Sequence, residues 1–107
     1  MGGGDTGTRR LVRYGYFEIR ARPMDSAGSS SFWFASGLKR WSTEIDVFEL
    51  GGRAPGRERA YHMNAHVWRE DGTNNHWSAG GRWEAPWRWA DGFHVFGFEW
   101  TPRELVW

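Results

Sequence analysis

The stretch that most constrains the fold is Ser42-Thr43-Glu44-Ile45-Asp46-Val47-Phe48-Glu49-Leu50. Its β-branched and aromatic residues predict a strand, and successive strand side chains alternate between faces. Glu44 and Asp46 then share one face, while Ile45 and Val47 share the other. Strict alternation would put Glu49 among the apolar side chains, where an unpartnered carboxylate is costly. One extra residue near Val47-Phe48, a bulge, returns Glu49 to the side of Glu44 and Asp46. The pattern therefore predicts a bulged strand with three acids on one face of a sheet. A solvated strand face with chance acids would not call for a bulge.

The spacing carries chemistry. With one residue absorbed by the bulge, the Glu44 and Glu49 Cα atoms would lie roughly 13 Å apart. Two glutamates leaning together across that span would leave roughly 5 Å between carboxyl groups, the separation used in retaining glycoside hydrolysis. There, one carboxyl attacks ionised and the other arrives protonated. Two carboxylates so close cannot both ionise freely, so one is pushed up. Asp46, between them, is placed to hydrogen-bond one or both.

Other segments also read as strands. Tyr14 to Arg22 alternates, with Tyr16, Glu18, Arg20 and Arg22 against Phe17, Ile19 and Ala21, and Pro23 ends it. Ser31 to Ser36 is a short aromatic strand after the turn cluster 25–30, and a loop through Trp41 leads to the acid strand. Tyr61 to Trp68 alternates Tyr61, Met63, Ala65 and Val67 with His62, Asn64, His66 and Trp68. Residues 76–89 are rich in Trp and Gly and read as irregular loop with at most a short strand. Phe93 to Trp100 is a strand, and Glu104 to Trp107 begins another. No segment shows sustained helical periodicity, so the expected fold class is all-β, an antiparallel β-sandwich.

Composition enters at two points. Nine Trp in 107 residues far exceed ordinary usage. Indoles need a large face to pack on, and sugar rings offer apolar C–H faces, so these residues suit both a sandwich core and a carbohydrate cleft. The basic residues are scattered over a chain of net charge +1, which argues against a nucleic-acid partner. There is no apolar run of membrane-spanning length, and no membrane partner is expected. Cys is absent, so no disulfide or thiolate zinc site is expected. His62 and His66 are four apart, a spacing that converges on a helix but not on a strand, so no metal site is assigned. A Gly-x-Ser-x-Gly elbow for serine catalysis is also missing.

Glu44-Ile45-Asp46-Val47-Phe48-Glu49 resembles the signature of glycoside hydrolase family 16 in its bulged form. Arg13 to Arg22 resembles the strand preceding that family's active site, Ser31-Phe32-Trp33-Phe34 its aromatic strand, and Phe93 to Pro102 its late strand. The resemblance covers roughly residues 12–107, in the family's order. It implies a concanavalin-like jelly roll and an endo-acting retaining hydrolase of polysaccharide β-glycosidic bonds. Glu44 would be the nucleophile, Glu49 the acid/base and Asp46 the assisting residue. The residues alone leave open which glutamate attacks.

By the same resemblance, Trp33 matches the aromatic beside the cleavage point; the alternative is a core Trp. Asn64-Ala65-His66-Val67 is similar to the agarase-like members, where a His so placed contacts substrate or the acids. Trp41 and Arg69 complete the candidate substrate-binding set, with loop surface as the alternative. Thr43 and Phe48 stand where β-glucan-cleaving members commonly have Gly and Met, so the branch acting on red-algal galactans is the expected one. A β-1,3(4)-glucanase is the alternative within the family, and a non-catalytic carbohydrate-binding sandwich is the alternative outside it. No cofactor is expected; a structural calcium, known in some members, has no site assignable here. The expected protein is extracellular or periplasmic and monomeric when complete. Residues 1–10 are expected to be a flexible Gly-rich segment and 11–107 a partial sandwich domain. The five or six strands read here fall short of the roughly eight of a jelly roll, so a truncated sandwich, inactive and prone to aggregate by itself, is expected.

Overall fold

The computed structural model describes residues 7, 10–38, 40–73 and 75–107. Apart from Gly7 and Arg10, the Gly-rich segment 1–10 lies outside the described residues. Seven strands are found among the described residues: β1 (Gly15–Ala21), β2 (Ser30–Leu38), β3 (Trp41–Leu50), β4 (Ala60–Arg69), β5 (His76–Glu84), β6 (His94–Trp100) and β7 (Leu105–Val106). They form two antiparallel sheets, ordered β1-β6-β7 and β2-β3-β4-β5. The expected sandwich is thus present.

Alternation sets what each sheet buries. From the three-stranded sheet, Phe17 and Ile19 of β1 pair with Phe98 and Phe96 of β6 and face inward. From the four-stranded sheet come Phe32, Phe34, Ile45, Phe48, Leu50, Tyr61 and Met63. Aromatic rings bridge the layers: Phe48 to Phe96 at 4.4 Å, Phe17 to Phe34 at 4.7 Å and Phe34 to Phe98 at 5.9 Å between centroids. Such tilted and edge contacts suit the ring quadrupole and add to the burial energy. Trp89, in the 3-10 turn Trp89–Asp91, closes one end of this core, with its indole N–H donated to the Arg59 carbonyl.

Two expectations are corrected. The aromatic strand extends to Leu38 and the acid strand begins at Trp41, inside the stretch expected as a loop, because the two strands pair from Ser30–Leu50 to Leu38–Trp41. Residues 76–84, read as irregular, form a nine-residue strand paired to β4 from Trp68–His76 to Ala60–Glu84. The glycines that weaken its strand propensity serve a close approach. A Cβ on Gly80 would lie 2.2 Å from the Met63 carbonyl oxygen and 2.7 Å from Asn64 Oδ1. Only glycine lets β5 lie against β4 at that level. The turn after β3 has a similar requirement. Gly52 has φ +56°, and a Cβ there would lie 2.1 Å from the Ser26 carbonyl oxygen, which also accepts from the Arg53 N–H. The loop before β2 is thereby tied to the end of the acid strand.

Candidate active site

The predicted bulge is present, and it shows in both ladders. On one side of β3, Phe32 pairs with Phe48 and Trp33 with Asp46, leaving Val47 as the extra residue. On the other side, Asp46 pairs with Asn64 and Glu49 with His62, so three steps on β3 match two on β4. Residues directly opposed in an antiparallel pair share a face. Glu44, Asp46 and Glu49 therefore stand on one face of the sheet, opposite His66, Asn64 and His62 of β4 and Ala35, Trp33 and Ser31 of β2. The next strand adds Ser78, Gly80 and Arg82. This face points away from the core.

Two core side chains hold the bulge from behind. The Tyr61 hydroxyl donates to the Val47 carbonyl at 2.6 Å, and the Trp107 indole N–H donates to the Asp46 carbonyl at 2.9 Å.

Asp46 is the buried member of the acid row, at 5 % exposure. Its Oδ2 lies 3.2 Å from His66 Nε2, and His66 Nδ1 lies 2.8 Å from His76 Nε2. If His66 donates Nε2–H to Asp46, its Nδ1 is left to accept from His76 Nε2–H. Trp68 stacks on both imidazoles, at 5.0 Å from His66 and 4.8 Å from His76. Burial, followed by the negative fields of Glu44 and Glu49, pushes the Asp46 carboxyl up to about 6, with His66 pulling the other way. Beside Glu49, burial together with Arg57 and Arg82 holds His62 below the ordinary imidazole range, against Glu49 and Glu84. Its buried Nε2 has no hydrogen-bond partner among the described residues.

Glu44, Asp46 and His66 each bring a donor atom within 4.8 Å of the others. Asp46 and His66 already satisfy one another there, so the group reads as a hydrogen-bonded acid cluster.

The other candidates divide by face. Trp33 pairs with Asp46 and is 41 % exposed, so its indole stands on the acid face while Phe32 and Phe34 go to the core. His66 stands on the acid face, directly opposite Glu44. Trp41 and Arg69 do not join them. They pair with each other one step out of phase with Ser42 and Trp68, which puts both on the opposite face. There the Arg69 guanidinium lies over the Trp41 ring at 5.7 Å, and Trp77 packs beside Trp41 at 5.9 Å. Thr43 and Phe48 also point away from the acids: Thr43 Oγ1 lies 2.9 Å from Ser36 Oγ, and Phe48 is buried against Phe96. Asn64, Trp68 and His76 were not among the candidates. The period-two alternation of β4 carries the first two, but His76 lies in the segment read as loop.

The structure is thus a two-sheet antiparallel sandwich whose bulged strand presents Glu44, Asp46 and Glu49 on one face. The chain belongs to glycosyl hydrolases family 16, whose family model matches residues 1–107. It is 35 % identical over 96 residues to the endo-1,3-1,4-β-glycanase EglC of Rhizobium meliloti, an alignment covering 88 % of this chain and 19 % of that protein. It is 29 % identical over 77 residues to β-porphyranase D of Zobellia galactanivorans, covering 60 % of this chain and 18 % of that one. In fold it is similar to the crystal structure of a κ-carrageenase from Zobellia galactanivorans, with TM-score 0.70 and 24 % identity over 90 % of this chain and 42 % of that one. The chain thus spans about a fifth of the length of the curated relatives it matches.

Proposed function

We propose that this chain carries the catalytic strand of an endo-acting, retaining polysaccharide hydrolase. The observation that supports this reading is the bulge at Val47, which brings Glu49 to the face of Glu44 and Asp46. In the proposed reaction the Glu44 carboxylate attacks the anomeric carbon while Glu49 gives its proton to the departing glycosidic oxygen. The carbon–oxygen bond breaks and a glycosyl ester on Glu44 forms. Glu49, now ionised, takes a proton from water, which opens the ester and regenerates both acids. Asp46 orients Glu44, and Trp33 offers a stacking face for the sugar. The division of roles between the two glutamates rests on the family resemblance.

For substrate we propose a red-algal galactan. The supports are the resemblance of Thr43-Glu44-Ile45-Asp46 and Asn64-Ala65-His66-Val67 to the galactan-cleaving branch, and the likeness to a β-porphyranase. A mixed-linkage β-glucan is the second reading, favoured by the higher identity to EglC. The proposed setting is extracellular or periplasmic, with a monomeric complete protein. The test is a parallel assay of the full-length protein on agarose, carrageenan, porphyran, laminarin and lichenan, with the product anomer followed by proton NMR. Faster cleavage of a galactan, with the β-anomer formed first, is expected. Faster cleavage of laminarin or lichenan would move the substrate to the β-glucan branch, and an inverted anomer would sink the double displacement.

A further inference from the structure

The bulge poses a hydrogen-bonding problem. Between Asp46 and Glu49, β3 takes one step more than β4, so the ladder cannot serve every peptide group there. Val47 is fully buried and Asp46 nearly so. A buried carbonyl without a partner costs about 1–3 kcal/mol. A flat strand would avoid that cost but would turn Glu49 towards the core. The geometry therefore favours the bulge only if something else meets its carbonyls.

Two side chains do, from different directions. Tyr61 lies on the inner face of β4, one residue before His62, the partner of Glu49. Its hydroxyl reaches the Val47 carbonyl at 2.6 Å. Trp107 follows β7 and so comes from the opposite sheet. Its indole N–H crosses the core to the Asp46 carbonyl at 2.9 Å. Its ring is held against Phe98 at 5.5 Å, and the Tyr61 ring lies between Phe96 at 5.9 Å and Trp89 at 5.7 Å. Both donors are thus fixed by core packing before they reach the bulge.

We propose that Tyr61 and Trp107 are positioning residues that clamp the Asp46–Val47 bulge from the core and so hold Glu49 in line with Glu44. They touch no substrate and act through the β3 backbone. The clamp couples core packing to the spacing of the two glutamates, and it joins the three-stranded sheet to a site on the far face of the four-stranded one. Burial pushes the Tyr61 phenol up to about 12, so the hydroxyl stays a donor across the working pH range.

The test uses Tyr61→Phe and Trp107→Phe in the full-length protein, with Tyr16→Phe as control. Tyr16 also loses a hydroxyl bond, to Glu18 at 2.8 Å, but on the exposed face of the other sheet. Each clamp variant is assayed well below its melting temperature. A fall in kcat on the order of 10- to 100-fold, with KM changed less than about 3-fold, is expected from displaced catalytic groups. Tyr16→Phe should leave kcat unchanged. Amide exchange of the peptide covering 45–50 should rise in the clamp variants while that of β6 stays protected. The kinetic arm rests on the proposed hydrolase reading; the exchange arm does not. Wild-type protein supplies a readout that survives misfolding of either variant: the Trp107 indole N–H should exchange as slowly as core amides. Fast exchange of the Trp107 indole N–H in wild type, or clamp variants with wild-type kcat and unchanged exchange over 45–50, would overturn the proposal.

Discussion

His66 Nε2 lies 3.2 Å from Asp46 Oδ2, and His66 stands directly opposite Glu44 across the β3–β4 pair. One imidazole therefore meets the buried aspartate between the two glutamates, and its other nitrogen meets His76. Of the two partners expected for His66, substrate or acids, the structure shows the contact with an acid. That contact restrains Asp46, whose carboxyl is otherwise raised by burial and by its two glutamate neighbours.

Removing the imidazole should release the restraint. His66→Ala is expected to move Asp46 above its value of about 6. The acidic limb of the kcat/KM profile should then shift to higher pH. Carbon-13 titration of the Asp46 carboxyl checks this directly, and a midpoint that stays or falls would contradict the pairing. His76→Ala should produce a smaller shift in the same direction, since it acts through His66.

Asp46 should destabilise the fold at neutral pH. Its folded value of about 6 lies above its ordinary value of 3.8, so between these limits the folded state binds more protons than the unfolded state. Stability from this group therefore falls as pH rises from about 4 to about 6, and the loss is complete above that. A shift of this size corresponds to about 3 kcal/mol at most. Asp46→Asn, which can still accept from His66, should raise stability in urea at pH 7.5 and leave it little changed at pH 3. It should also lower kcat by an order of magnitude or more, about 1.4 kcal/mol of barrier. Equal stability of the two proteins at pH 7.5 would show that burial does not strain this carboxyl.

The two glutamates should fail in distinguishable ways. Glu44→Ala and Glu49→Ala should each nearly abolish hydrolysis in the full-length protein while keeping the melting transition. With a β-linked activated substrate, azide added to Glu44→Ala should give the α-glycosyl azide, because azide fills the vacated position of the nucleophile. Azide added to Glu49→Ala should give the β-azide through the covalent intermediate. Exchange of these two outcomes would swap the roles.

Face assignment predicts a contrast between tryptophans. Trp33→Ala removes the indole opposite Asp46 and should cut kcat/KM on the order of 10-fold or more. Trp41→Ala and Arg69→Ala, on the other face, should change it less than about 3-fold and act mainly on stability. Similar losses for Trp33 and Trp41 would show that the sheet face does not decide their roles.

The 107-residue chain by itself is expected to self-associate and to show no measurable hydrolysis. Trp77, Trp83, Trp87 and Phe93 are about half exposed, and an apolar gap of about 450 Å³ lined by Met63, Ala65, Leu105 and Trp107 opens between the sheets on the side away from the acids. Exposed apolar area of this kind favours association. Sedimentation velocity over a concentration series checks it; a monomer at all concentrations that cleaves polysaccharide would refute it.

The acid strand was legible in the sequence because its determinants are local. Alternation of Ile45 and Val47 with Glu44 and Asp46 left Glu49 on the wrong face, and only a bulge resolves that conflict. The same period-two reading placed His62, Asn64 and His66 on one side of β4. The same period puts Trp41, one step out of phase with Ser42, on the other face, but only the β2–β3 pairing shows that the strand reaches back to 41. What only the tertiary structure decided depends on pairing between distant segments. The nine-residue strand at 76–84 forms because β4 offers it a ladder and Gly80 lets it approach, although its own glycines argue against a strand. The Asp46–His66–His76 chain requires the β3–β4 and β4–β5 registers at once, and local periodicity specifies neither. The donors that hold the bulge come from β4 and from beyond β7, 14 and 61 residues away along the chain. The sequence by itself determined that three acids must share a face; packing of the two sheets decided what holds them there, because hydrogen bonds to a bulged backbone are made by whichever side chains the core brings within reach.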